Sequence, residues 1–319
     1  MSGPVQLDLE QVRCALCGSS DSEICATGKD FEYDTAANVF HFVRCRDCAH
    51  QYLNPRPAPA DLDVIYPPNY YAFVGTTNAV VARIQRFWES GKIRLYQEYL
   101  GEGERTLLDV GCGDGRFLSL LADAGDPQWH PVGLEFDAGA VATCQAKGFE
   151  AHCERIETFA EREDQRERFD AIIMLQLIEH VDDPAALCER VHALLKPGGV
   201  FIIETPNLGG LDYKLFSGRC WGHYHFPRHW NLFSTRSLSN LLDSKRFEIV
   251  RSEFLISTSA WIISHQNFFK DRGWPRFWWR LFSYQNPLLL ALAVIVDSVR
   301  IRLGLETSNL RLIARKPGA

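Results

Sequence analysis

Leu107-Leu108-Asp109-Val110-Gly111-Cys112-Gly113-Asp114-Gly115-Arg116-Phe117 is the stretch that decides the fold. Its apolar start reads as a buried strand, which runs directly into three alternating glycines and then into a helical pattern. Glycines at such a junction tolerate positive φ and let a ligand come close to the backbone. A glycine-rich turn alone is weak evidence, because dinucleotide-binding folds use a similar device. Its neighbours therefore carry the reading.

Working outward, strand and helix patterns alternate. The spacing predicts strands at 106–110, 131–136, 149–153, 169–175 and 200–204, with helices at 116–124, 138–147 and 184–195 between them. Lys196-Pro197-Gly198-Gly199 stops the last helix. Such alternation builds a parallel, doubly wound α/β sheet with helices on both faces. Residues 246–252 and 309–315 read as two further strands that would close the sheet as an antiparallel hairpin. The insert between them, about 254–308, is far longer than an ordinary hairpin loop.

The second strand ends at Val132-Gly133-Leu134-Glu135-Phe136-Asp137, which puts a carboxylate ~20 residues past the turn, where it can accept hydrogen bonds from two ribose hydroxyls. The spacing is GxGxG rather than GxGxxG, with Asp109 at the strand end. Those details favour S-adenosylmethionine over a dinucleotide. Asp109, Gly111, Gly113, Gly115, Glu135, Phe136 and Leu175 form the expected cofactor set, with Phe136 beside the adenine. Read singly, Asp109 is equally a structural cap and Glu135 a solvated loop residue.

The ordered series Phe169-Asp170 to Leu175, Glu179-His180-Val181-Asp182-Asp183-Pro184, Leu194-Leu195-Lys196-Pro197-Gly198-Gly199 and Glu204-Thr205-Pro206-Asn207 resembles the run found in class I S-adenosylmethionine-dependent methyltransferases. The ubiquinone-biosynthesis-like branch shares the strand-ending Glu-His and the Leu-Lys-Pro-Gly-Gly. The resemblance covers about 105–253 and the last strand. It implies a seven-stranded Rossmann-like sheet and the methyl donor, and it says nothing of the acceptor.

Two close cysteine pairs, Cys14-Ala15-Leu16-Cys17 and Cys45-Arg46-Asp47-Cys48, lie 27 residues apart. Four thiolates on two knuckles suit closed tetrahedral Zn²⁺ in a segment too small to fold alone. A redox CxxC pair and four free cysteines are the competing readings. The segment from Cys45 through Asn54-Pro55-Arg56-Pro57 to Tyr70-Tyr71 resembles the zinc-ribbon leader of sugar- and polysaccharide-associated methyltransferases, which implies that the module shapes the substrate side. The other six cysteines read as small buried or semi-buried residues. The expected organisation is a Cys₄ module at 1–57, a connector and covering helix at 58–104 and the methyltransferase domain at 105–319.

Methyl transfer to a hydroxyl needs a positioned acceptor and a group to take its proton. The fourth strand ends at Gln176-Leu177-Ile178-Glu179-His180, which places Glu179 and His180 where a ligand sits in such sheets. His180 reads equally as a base or as a helix-cap and supporting residue. In ubiquinone-type relatives this stretch carries an earlier Glu and can hold a divalent metal. Gln176 stands at that position here, which argues against metal assistance.

A second candidate run is Trp221-Gly222-His223-Tyr224-His225-Phe226-Pro227-Arg228-His229-Trp230-Asn231-Leu232-Phe233-Ser234. It predicts a substrate lid at about 207–240, in which His229 or His225 is a base and Arg228 grips an anionic group. The alternative is a packed loop whose histidines bond to backbone. A metal on His223 and His225 lacks a completing carboxylate.

The insert carries Trp274-Pro275-Arg276-Phe277-Trp278-Trp279-Arg280-Leu281-Phe282 and then an apolar run at 287–296. That run is well short of the ~20 residues needed to span a bilayer. Core helix, dimer surface and peripheral membrane contact through 274–296 compete, the last favoured by the adjoining aromatic and arginine residues.

With 34 basic and 40 acidic residues the chain has a net charge of -6. That balance disfavours nucleic acid as a partner, and no NPPY-like motif follows the fourth strand. The start shows no secretory leader, so a cytoplasmic protein is expected, at most touching the inner face of the membrane. The expected reaction is methylation of an oxygen or carbon of a sugar, nucleotide-sugar or lipid-linked glycan intermediate. A quinone-type O-methyltransferase is the alternative, and a zinc-ribbon binding protein with a degenerate domain is the rival from outside enzymology.

Overall fold

The computed structural model of the chain describes residues 3–67, 91–283 and 286–318. Strands β1 (Leu9–Glu10), β2 (Ser22–Gly28), β3 (Phe40–Cys45), β4 (Gln51–Leu53) and β5 (Arg56–Pro57) form the N-terminal part. Then follow β6 (Arg105–Val110), α1 (Arg116–Ala124), β7 (Trp129–Glu135), α2 (Ala138–Ala146), β8 (Glu150–Cys153), β9 (Phe169–Leu175), α3 (Pro184–Leu194) and β10 (Leu195–Pro206). The last third holds α4 (Leu211–Phe216), β11 (Asn231–Leu232), α5 (Thr235–Ser244), β12 (Glu248–Leu255), α6 (Thr258–Asp271), α7 (Arg276–Leu281), α8 (Pro287–Arg302) and β13 (Asn309–Arg315).

The main sheet has the order β12-β13-β10-β9-β6-β7-β8, and β13 is its antiparallel strand. Ala171, Ile172, Ile173 and Met174 on β9 are wholly buried, as expected for a central strand covered on both faces. On α1, Phe117, Leu118, Leu120 and Leu121 turn inward, each worth roughly 1.5–3 kcal/mol when fully buried. Strand order reverses at β6, between β7 and β9, and ligands in such folds bind at the carboxyl ends of the strands there.

The alternation read from the sequence holds throughout this sheet, with differences at the ends. β10 begins at Leu195 rather than Val200, because Lys196-Pro197-Gly198-Gly199 forms an irregularity within the β9–β10 pairing instead of a free turn. β12 reaches Leu255, three residues beyond the expected end, because β13 pairs with it as far as Asn309. The covering helix is described over 91–100, with Leu95 buried and Tyr99 packed on the core. The helical spacing of Ile84, Phe87, Trp88, Leu95 and Tyr99 predicts this helix over about 79–100. Ile84, Phe87 and Trp88, with the connector residues Tyr70 and Tyr71, lie outside the described residues. Among the scattered cysteines Cys153 is exposed, contrary to the buried or semi-buried reading.

The N-terminal module is not self-contained at residue 57. Its four-stranded sheet has the order β11-β4-β3-β2, so Asn231–Leu232, which follows β10 in the chain, supplies an edge strand. Phe40, Phe42, Leu53 and Ile65 share one core with Trp221, Tyr224, Phe226 and Trp230. Residues 220–233 are buried without a break. The segment expected as a substrate lid is packed over 220–233, as its alternative reading had it, and shares a core with the N-terminal module.

Among the described residues the insert forms three helices, α6, α7 and α8. The apolar run is most of α8, started by Asn286, whose side chain accepts from the N–H groups of Leu288 and Leu289. No helix among the described residues is long and apolar enough to cross a membrane.

Candidate active site and cofactor cradle

Gly111, Gly113 and Gly115 all have positive φ, at 77°, 53° and 78°. A Cβ on Gly111 would lie 3.3 Å from Leu177, whereas one on Gly113 would meet nothing within 4 Å. The turn is thus closed toward β9 at Gly111 and open outward at Gly113. Glu135 reaches across it, Oε2 accepting from the N–H of Gly113 at 3.1 Å and Oε1 from that of Phe136 at 2.8 Å. An ionised carboxylate has roughly four acceptor sites, which leaves capacity for hydroxyls. Phe136 is an exposed large aromatic beside it.

Asp109 is buried on β6, opposite Gly133 on one side and Ile173 on the other. Burial, reinforced by the charge of Glu135, pushes its carboxyl up to about 7. Two acidic groups flanking a glycine turn favour a cationic or hydroxyl-bearing ligand, and S-adenosylmethionine offers both. Leu175 ends β9 half-buried, in register with Glu204 of β10.

Beyond β9 the chain reverses through Gln176, which adopts a positive φ of 54° while its N–H donates to the carbonyl of Glu204. This reversal delivers Glu179 and His180 to the end of the sheet. The loop at 223–229 folds onto them. The rings of His180 and His229 lie 4.6 Å apart by centroid, and His225 is 5.0 Å from His229. Three of the four expected catalytic residues, Glu179, His180 and His229, offer ligand atoms within 4.8 Å of one another. That spacing also suits a metal ion, with the carboxylate that the sequence reading found missing from the His223–His225 pair.

The environment sets the state of each group. The carbonyl of Arg228 can only accept, so His180 Nδ1, 3.1 Å away, carries the proton and Nε2 keeps its lone pair. Nδ1 is also 2.9 Å from the Tyr66 hydroxyl. By the same reasoning His229 Nδ1 donates to the carbonyl of His223 at 2.8 Å. Burial first, then neighbouring imidazole charge, pulls His180 down to about 3 and holds His229 well below its ordinary range. Glu179 is wholly buried; Oε2 accepts from the Thr205 hydroxyl at 2.9 Å, and Oε1 has no hydrogen-bond partner among the described residues. Burial raises its carboxyl to about 8.

Two expectations for the loop need correction. Arg228 does not face a substrate. Its guanidinium is buried in a bidentate pair with Asp30 at 3.0 Å, bonds to the carbonyls of Ile65 and Phe226, and lies over the Tyr33 ring. His225 is paired with Glu32 at 2.6 Å, a carboxylate of the N-terminal module that the sequence reading had not singled out. Of the four loop and strand histidines only His180 is partly exposed.

Cys14, Cys17, Cys45 and Cys48 converge, with Sγ–Sγ separations of 3.5 Å for Cys14–Cys48 and Cys17–Cys45. Zn–S bonds of about 2.3 Å place tetrahedral sulfurs somewhat under 4 Å apart, so the four thiols fit a closed zinc site.

Residues 80–252 match the family described as "Methyltransferase domain". The chain belongs to that family. A ubiquinone biosynthesis O-methyltransferase of Bradyrhizobium sp. (strain ORS 278) is 34% identical over 112 residues, 34% of this chain and 43% of that protein. A probable S-adenosylmethionine-dependent methyltransferase of Mycolicibacterium smegmatis (strain ATCC 700084 / mc(2)155) is 30% identical over 149 residues, 46% and 52% of the two chains. The chain thus spans about half the length of the curated relatives it matches. Phosphoethanolamine N-methyltransferase 2 of Haemonchus contortus superposes with a TM-score of 0.50 at 15% identity, covering 93% of this chain and 69% of that one, which shows the shared fold.

The methyltransferase domain makes the cradle directly testable. Asp109→Ala and Glu135→Ala should each weaken S-adenosylhomocysteine binding about 10- to 100-fold, the loss of a charge-assisted hydrogen bond. Calorimetric titration checks this, and unchanged affinity in both variants would remove the cradle from the cofactor site.

Proposed function

We propose that the chain is an S-adenosylmethionine-dependent methyltransferase acting on an oxygen, or a carbon, of a sugar, nucleotide-sugar or lipid-linked glycan intermediate. The gathering of Glu179, His180 and His229 at the carboxyl end of β9, beside the glycine turn, supports proton removal from an acceptor there. The glycan class rests on the likeness of the N-terminal cysteine segment to the leader of polysaccharide-associated methyltransferases. The donor supplies an electrophilic methyl group on a sulfonium. His180 Nε2 takes the acceptor's proton, since that imidazole is neutral, partly exposed and fixed in the right tautomer. An imidazole lowered to about 3 is a weak base on its own. Glu179, which shares the cluster within 4.8 Å of the imidazole and has Oε1 unpartnered among the described residues, is the more basic group and is our choice for the proton's final acceptor.

This mechanism fixes a pH profile. Only the ionised carboxylate can receive the proton, and burial keeps Glu179 protonated until the pH nears 8. Turnover should therefore rise with pH through that region. Glu179→Gln should abolish the rising limb, and His180→Ala should lower kcat about 10²- to 10⁴-fold. A profile unchanged in Glu179→Gln would disprove the relay.

Relatives named as ubiquinone biosynthesis O-methyltransferases suggest a second acceptor class, a quinone-type small molecule methylated on oxygen. Assays with labelled donor on nucleotide-sugars, polyprenyl-linked glycans and polyprenyl catechols, read as mass gain of one CH₂, separate the two. A folded, zinc-replete protein that fails to bind S-adenosylhomocysteine would instead be a binding module. We also assign Zn²⁺ to Cys14, Cys17, Cys45 and Cys48. A closed four-sulfur site has no open position, so the metal's role is structural.

A further inference from the structure

The insert exposes more large apolar surface than any other part of the described chain. Leu288, Leu292, Ile295 and Val299 recur at i, i+4, i+7 and i+11 along α8, one helical stripe, and Leu288 is 80% exposed. The opposite face is the one that packs. Asp297 accepts from the N–H of Ser257 at 2.7 Å and from the Trp261 indole at 3.0 Å, tying α8 to the start of α6. α7 also packs on α6 and presents Phe277 and Trp278, with Trp274 just before it.

Charge separates the possible occupants. Residues 270–302 contain six basic side chains (Lys270, Arg272, Arg276, Arg280, Arg300, Arg302) and two acidic ones (Asp271, Asp297), a local +4. The whole chain is -6, so the remainder is -10. Arg272, Arg276, Arg280 and Arg302 are exposed. A second copy would bring the same cationic patch, with no acid to spare: Asp271 is paired with Arg219 at 2.6 Å and Asp297 is buried. Self-association there would juxtapose like charges. An anionic bilayer surface matches both features, taking aliphatic and aromatic side chains at the headgroup boundary and cations against its phosphates.

We propose that α7 and α8 dock the protein on the surface of an anionic phospholipid membrane, lying in the interface without crossing it. The consequence for catalysis follows from connectivity. α6, which carries both helices, packs on the segment at 222–224: the Ser264 hydroxyl accepts from the N–H of Gly222 at 2.8 Å, and Ser257 bonds His223 at 2.9 Å. One helix therefore separates the membrane-facing surface from the histidine loop, an arrangement suited to an acceptor held in the membrane by a lipid tail. That last step rests on the methyltransferase reading; the docking itself does not.

Flotation of the full chain with vesicles tests the docking. The protein should float with phosphatidylcholine vesicles containing phosphatidylglycerol and stay behind with phosphatidylcholine alone. Leu288→Glu/Leu292→Glu/Ile295→Glu should cut the floating fraction about tenfold or more. Arg276→Glu/Arg280→Glu should have a similar effect that added salt mimics in the unmodified protein. Both variants should keep S-adenosylhomocysteine affinity, because the altered residues are exposed and none belongs to the cradle. Failure of the unmodified protein to float, or equal flotation of both variants, would overturn the proposal. So would a dimer that the triple variant converts to monomer in the absence of vesicle binding, since the stripe would then be a self-interface.

Discussion

Arg228→Met should cost the fold about 3–5 kcal/mol, the usual penalty for removing one partner of a buried ion pair. Arg228 and Asp30 are both inaccessible and meet in a two-bond fork at 3.0 Å. Burial alone would push the Asp30 carboxyl up; the hydrogen bonds and charge of Arg228, with the N–H groups of Thr35 and Tyr33, overcome it and hold the group below its ordinary range. Without the guanidinium that carboxylate is left buried and only partly satisfied. A melting temperature lower by roughly 10 °C is expected for a chain of this size. Asp30→Asn/Arg228→Met should lose less than the sum of the two single changes, because the double variant buries no unpaired charge. A normal melting temperature with a raised KM would show instead that Arg228 binds substrate, as the sequence alone had suggested.

The parts of the molecule legible in the sequence are those whose causes are local. Central strands read as nearly continuous apolar runs because both faces are covered, and the glycine turn declares itself because Gly111, Gly113 and Gly115 sit at backbone angles other residues avoid. Asp109, Glu135 and the two CxxC pairs stood out as candidates for the same reason: their spacing lies along the chain. What escaped was the long-range pairing. Arg228 bonds a carboxylate 198 positions away, His225 one 193 away, and Asn231–Leu232 adds a strand to β4. A histidine-rich segment with arginine and aromatics looks the same whether it faces solvent or a neighbouring sheet. Here the aromatic content was the better guide, since Trp221, Tyr224, Phe226 and Trp230 bury themselves and take the polar groups with them. Glu179 shows the converse. The Glu-His pair was noticed, but only the fold brings His229 beside it from a loop 50 residues on and leaves Oε1 unpartnered.

Cys14→Ser should release the zinc and unfold the N-terminal module ahead of the main sheet. Cys14 is buried beside Cys48, next to the small sheet that β2, β3 and β4 form. Metal binding in comparable peptides contributes on the order of 10 kcal/mol to folding. Zinc content by emission spectroscopy should fall from one ion per four-cysteine site to near zero, and a separate low-temperature melting transition should appear. S-adenosylhomocysteine affinity should be unchanged, because Gly111, Gly113, Asp109 and Glu135 all stand on or between β6 and β7. Turnover should nonetheless collapse. The module supplies Asp30 to Arg228 and Glu32 to His225, and β4 holds β11, so the loop that sets the His180 tautomer loses its support. Retained activity with the zinc gone would mean that the histidine loop stands without the module. Full metal content in Cys14→Ser would refute the four-cysteine site itself.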